Sequence, residues 1–162
     1  MDKYKRSSYF LTVPYYNGGG TDTNYSEAIK CCRLAAEQGH IQARYDLGFC
    51  YENGQCVEKD EYEAVMWYKL AAKQGYAVSQ YHLALFYESG NVLDKDYKED
   101  VKWYKLAADQ GNEEAQYKLG NCYYNGNGVD KNIEEAVKWY KLAAEQGHAK
   151  ARNALDSCRN EK

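Results

Sequence analysis

Residues 136–147 read Ala136-Val-Lys-Trp-Tyr-Lys-Leu-Ala-Ala-Glu-Gln-Gly147, and close copies end at Gly111, Gly75 and Gly39, an interval of 36 each time. The copies are Asp100-Val-Lys-Trp-Tyr-Lys-Leu-Ala-Ala-Asp-Gln-Gly111, Ala64-Val-Met-Trp-Tyr-Lys-Leu-Ala-Ala-Lys-Gln-Gly75 and Ala28-Ile-Lys-Cys-Cys-Arg-Leu-Ala-Ala-Glu-Gln-Gly39. A second block keeps the same step: Tyr45-x-Leu47-Gly48-x-x-Tyr51-x-x-Gly54, Tyr81-x-Leu83-Ala84-x-x-Tyr87-x-x-Gly90 and Tyr117-x-Leu119-Gly120-x-x-Tyr123-x-x-Gly126. No insertion breaks the register, so the chain reads as a stack of equal units.

Both blocks have helical spacing. In the first helix of a repeat Ala43, Leu47, Cys50 and Tyr51 fall at i, i+4, i+7 and i+8, one apolar stripe. In the second, Ala64, Tyr68, Ala71 and Ala72 do the same, flanked by Val65 and Trp67. Small alanines let helices approach while the aromatic rings fill the gaps between them. Asn24, Asp60, Asp96 and Asn132 each stand three residues before a glutamate (Glu27, Glu63, Glu99, Glu135), which predicts a capping pair at the start of every second helix. The recurring Gln-Gly then ends it. These signals divide the chain into a degenerate half-repeat over 1–23, an array over 24–147, and a capping helix with its tail over 148–162. Pro14 interrupts the would-be first helix, and Gly18-Gly19-Gly20 reads as a joint. In the last helix Asn153, Asp156 and Arg159 replace the Tyr, Gly and Tyr of earlier copies, the polar face expected of a cap.

Composition narrows the partners. Lys+Arg 21 against Asp+Glu 24 leaves a net charge of -3, with both signs mixed along the chain, so neither nucleic acid nor an anionic membrane surface is expected. No apolar run approaches the roughly 18 residues of a membrane span, and Tyr9 to Val13 is too short for a signal-peptide core. Tyrosine, at 18 residues, far exceeds ordinary usage. No catalytic constellation is found. His40 and His148 fall in turns and His82 within a helix. Gly126-Asn127-Gly128 lacks the Lys-Ser/Thr of a phosphate loop, and no Cys/His cluster has the spacing of a metal site. Cys50, Cys122 and Cys158 share one core position, where a thiol acts as a small hydrophobe. Neither cofactor nor metal is expected, and a reducing, cytoplasmic setting is.

The pattern Leu-Gly-x-x-Tyr-x-x-Gly-x-Gly-Val followed by Trp-Tyr-x-x-Ala-Ala-x-Gln-Gly, fullest from Leu119 to Gly147, resembles the Sel-1-like repeats, relatives of the tetratricopeptide repeats. Cys56 and Val92 stand where the motif has Gly128, Asp100 replaces an alanine, and Cys31-Cys32 replace Trp-Tyr. The resemblance implies an all-α, right-handed superhelical solenoid of 36-residue helix-turn-helix repeats, closed by a C-terminal capping helix. It also implies a monomeric scaffold or adaptor that binds a protein or peptide and catalyses nothing. A cysteine-rich subgroup, described as cell-envelope proteins with penicillin-binding and weak β-lactamase activity, provides the alternative. That subgroup pairs two cysteines per repeat, whereas the matching positions here are Ala72 and Gln80, Ala108 and Gln116, and Ala144 and Arg152. Export as an effector without a classical signal is the alternative location.

Opposite the Leu47 stripe, Tyr45, Phe49 and Glu52 share a face, with counterparts Tyr81, Leu85 and Glu88, then Tyr117, Asn121 and Tyr124. If first helices line a concave groove, these nine form an aromatic ladder with acidic edges, suited to an extended peptide.

Overall fold

The computed structural model describes residues 22–160, and the regular elements within them are all α-helices, joined by short turns and loops. The helices are α1 (Asp22–Glu37), α2 (Ile41–Asn53), α3 (Glu61–Lys73), α4 (Ala77–Ser89), α5 (Tyr97–Asp109), α6 (Glu113–Asn125), α7 (Ile133–Glu145) and α8 (Ala149–Asn160). They fall into two compact units, divided after Gln74. In the first, α1 packs on α2 and α2 on α3; in the second each of α4 to α8 packs on the next. The expectations for Pro14 and the glycine joint lie outside the described residues.

Local chemistry explains why each helix begins and ends where it does. The Asp60 carboxylate accepts from the backbone N–H of Tyr62 at 2.9 Å and of Glu63 at 3.1 Å. Asp96 accepts from Lys98 and Glu99 at 2.9 and 3.2 Å, and Asn132 from Glu135 at 3.1 Å. These bonds satisfy N–H groups that a helix start leaves without partners. The expected start at Asn24 differs, because α1 already begins at Asp22. Asn24 therefore lies inside the helix and is not the residue that precedes it. The glutamates of the capping pairs also act differently from expectation. Glu27, Glu99 and Glu135 form ion pairs with Lys30, Lys102 and Lys138, each three residues on.

At the other ends Gly39, Gly75, Gly111 and Gly147 adopt φ of +93°, +93°, +88° and +104°. The glutamine before the glycine ties one repeat to its predecessor. The Gln74 amide donates to the Gly39 carbonyl at 3.2 Å, and that of Gln146 to the Gly111 carbonyl at 3.0 Å.

The two stripes form the cores. Ala43, Leu47, Cys50, Ala64, Tyr68, Ala71 and Ala72 are buried, and Tyr51 is half-buried. The glycine after Leu47 and Leu119 has a packing reason. A Cβ on Gly48 would stand 2.7 Å from the Tyr68 ring, and one on Gly120 2.5 Å from the Tyr140 ring. In the capping helix the same position is the exposed Asp156, since no further described helix packs there. Gly128, at φ +72°, would put a Cβ 1.8 Å from the Tyr97 carbonyl oxygen. Its counterpart Cys56 takes φ +60° without being glycine, a cost of about 1 kcal/mol.

Candidate interaction faces

All nine ladder residues are half-buried, neither lost in the core nor freely projecting. In the first unit the Tyr45 ring lies 5.9 Å from Tyr68 and 6.2 Å from Phe49, centre to centre. The buried Tyr68 hydroxyl donates to Glu52 Oε2 at 2.6 Å. A phenol inside a core needs such an acceptor, so α3 orients the carboxylate on α2. Burial, reinforced by Glu52, pushes the Tyr68 hydroxyl far up, and it stays a donor.

The second unit repeats the device and then alters it. Tyr81 stands 6.1 Å from Tyr104, whose hydroxyl donates to Glu88 Oε2 at 2.6 Å. Lys118 of α6 adds a second donor to that same oxygen at 2.7 Å. Partial burial pushes the Glu88 carboxyl up, but the bonds from Lys118 and Tyr104 outweigh it and hold the group below its usual range. One repeat later the glutamate position is Tyr124, and the Tyr140 hydroxyl turns to Asn121 Oδ1 at 2.8 Å. Tyr117 lies 5.9 Å from Tyr140 on one side and stacks on His148 at 4.6 Å on the other. The Lys131 ammonium sits over the Tyr124 ring, 5.4 Å from its centre.

The second-helix tyrosines Tyr68, Tyr104 and Tyr140 were expected only as apolar stripe; their hydroxyls position the ladder. The signal was available, because an acceptor of some kind had to meet each buried phenol. Lys118 and His148 carried no such sequence signal. His40 is an exposed turn residue as expected. His148 departs from the same expectation: it is buried, its Nδ1 caps α8 by accepting from the Ala151 N–H at 3.1 Å, and its Nε2 lies 3.2 Å from Glu114. Its ring stacks on Tyr117, in the place that Asn112 holds one repeat earlier.

Two buried carboxylates stand apart. Asp100 is 1% exposed, and its Oδ1 has no hydrogen-bond partner. Burial, with Glu88 and Asp96 adding repulsion, pushes its carboxyl up to about 7. Asp46 is also buried; it accepts from Gln42 at 2.9 Å through Oδ1, while Oδ2 lacks a partner, and burial pushes it to about 6. All six cysteines are free thiols, four of them buried. Burial raises Cys50 and Cys122 to about 12, which suppresses the reactive thiolate. No cluster of three or more His, Cys, Asp or Glu side chains suited to a metal occurs among the described residues. No described helix is long and apolar enough to cross a membrane.

Sel1 repeats match residues 13–40, 41–76, 77–112 and 113–148, four consecutive units covering most of the chain. The chain belongs to the Sel1 repeat family. Solved Sel1 structures agree with the helix-turn-helix solenoid class. The protective antigen c5321 of uropathogenic Escherichia coli is 38% identical with a TM-score of 0.86, over 94% of this chain. This chain spans only 32% of that antigen. A Sel1 repeat protein from Oxalobacter formigenes is 36% identical over 78% of this chain and 95% of its own, with a TM-score of 0.73. Helicobacter pylori cysteine rich protein B shares the fold at 24% identity, over 86% of this chain and all of its own, with a TM-score of 0.65. No curated protein matches the chain. Sel1 repeats serve in general as protein-interaction scaffolds.

Proposed function

We propose that this Sel1 repeat chain is a non-catalytic scaffold that holds a peptide or protein segment against its first-helix faces, on the concave side such arrays are expected to form. The observation that carries this reading is the contrast within each face. Tyr45, Tyr81 and Tyr117 are braced by a second-helix tyrosine, so they present rigid, half-exposed rings at low entropic cost to a ligand. Beside them Phe49, Leu85, Asn121 and Tyr124 vary between copies while keeping the same phase, as residues that choose a partner would. Glu52, oriented by the Tyr68 hydroxyl, favours a segment carrying basic or hydrogen-bond-donating groups, whereas the Glu88 charge is already met by Lys118. The free thiols support a reducing, cytoplasmic setting.

The test begins with a pull-down by the intact array and mass spectrometry of what it retains. With that partner, Phe49→Ala weakens binding at least tenfold and leaves thermal unfolding nearly unchanged, while Tyr124→Ala weakens binding as much and also lowers the melting temperature, because Tyr124 packs on the core around Ala136 and Tyr140. Lys105→Ala and Lys141→Ala on the second helices change neither. Binding that survives the first pair and fails in the second would place the partner on the other face.

A further inference from the structure

Along α3, Tyr62, Met66 and Leu70 fall at i, i+4 and i+8, a single stripe, and are 70%, 61% and 39% exposed. The leucine is common to all four second helices: Leu34, Leu106 and Leu142 are 56%, 41% and 43% exposed. The other two positions are peculiar to α3, since α5 has Lys98 and Lys102 there, and α7 has Glu134 and Lys138. In α1, α5 and α7 the middle position is the lysine that pairs with a glutamate three residues earlier. Met66 replaces that lysine. Glu63 therefore has no lysine at that spacing, and it accepts instead from the Trp67 indole at 3.2 Å. One outer face has exchanged its ion pair for large apolar side chains, which elsewhere marks an interaction surface.

We propose that this face joins two copies of the chain about a two-fold axis passing near Met66, with the two α3 helices antiparallel. The partner is a second copy because positions placed symmetrically about Met66 are complementary to each other. Tyr62 and Leu70, four residues before and after, are both apolar, so each packs on the other across the axis. Glu63 and Lys69, three before and after, are of opposite charge, so the arrangement sets Glu63 of one copy against Lys69 of the other, twice. Self-complementarity of this kind is what an isologous interface requires. Antiparallel helices also oppose their dipoles favourably. The next symmetric pair, Lys59 and Lys73, is alike in charge, but Lys59 lies ahead of α3 and is held by Glu61 at 2.8 Å. A single helix pair covers less than the roughly 1,200 Å² of a stable interface, so the dimer is weak and concentration-dependent.

Analytical ultracentrifugation of the full chain, from low micromolar to about millimolar concentration, reads the association directly. The wild type rises from the mass of one chain, 18.6 kDa, toward two and no further. Tyr62→Lys with Met66→Lys, which installs the residues of the next repeat and so keeps a fold-compatible surface, weakens association at least tenfold with an unchanged far-UV melting curve. Lys69→Glu weakens it as well, and adding Glu63→Lys restores it. A mass that stays at one chain throughout, that climbs beyond two, or that is unmoved by the double lysine variant overturns the proposal.

Discussion

Helices α3 and α5 occupy the same place in successive repeats and differ where it matters. Both have 13 residues, both start on an aspartate cap, and both send a buried tyrosine hydroxyl 2.6 Å to a glutamate 16 residues earlier. On the inner side, however, α3 has Ala64 where α5 has Asp100; on the outer side it has Tyr62 and Met66 where α5 has Lys98 and Lys102. The backbone is thus indifferent to these exchanges, and their consequences are energetic. The inner exchange costs α5 stability, because a carboxylate with an orphaned oxygen sits in the core. The outer exchange costs α3 solvation of apolar surface, which association can recover.

The inner difference can be pushed hardest by moving it. Ala64 is fully buried, so Ala64→Asp should lower stability by about 3 kcal/mol at neutral pH, read by urea unfolding. The reverse change, Asp100→Ala, should raise stability by about 2–4 kcal/mol at pH 8. That gain has a predictable pH dependence. The folded-state value, about 7, lies above the ordinary 3.8, so between them the folded chain binds more protons than the unfolded one. The Asp100 penalty therefore grows as pH rises through this window, and the advantage of the alanine variant should vanish near pH 4. Asp46, pushed up to about 6, leaves a slope of the same sign in both proteins. A melting temperature that falls in Asp100→Ala would reveal a specific partner for the carboxylate instead.

The shared feature gives the smallest effect. Tyr68→Phe and Tyr104→Phe should each cost about 1–2 kcal/mol, the worth of a charge-assisted hydrogen bond to a half-buried carboxylate. They should differ in one respect that NMR titration detects. Tyr104→Phe raises the Glu88 carboxyl, since one of the two bonds holding it down is gone, whereas Tyr68→Phe leaves Glu88 unmoved. Equal behaviour of Glu88 in both variants would show that Lys118 alone orients it.

Repeat length, helix phase and cap residues were all legible along the chain, because each is a local property. The 36-residue step, the Asp60, Asp96 and Asn132 caps and the Gln-Gly stops follow from hydrogen bonds within a few residues, and the structure places them as spacing predicts. At the first repeat the start lies elsewhere, at Asp22, ahead of the Asn24 that the spacing names. The nine ladder residues were also legible as a face, since phase around a helix is a matter of counting. Which of them are braced was not. Tyr45 against Tyr68, Glu88 between Tyr104 and Lys118, and Tyr117 against His148 join residues 16 to 31 positions apart, and their partners are chosen by how one helix packs on the next. The sequence by itself therefore determined the repeat, its helices and the positions that face alike. Only the tertiary structure decided which side chains hold one another, because burial and charge pairing depend on distances through space that no spacing along the chain encodes.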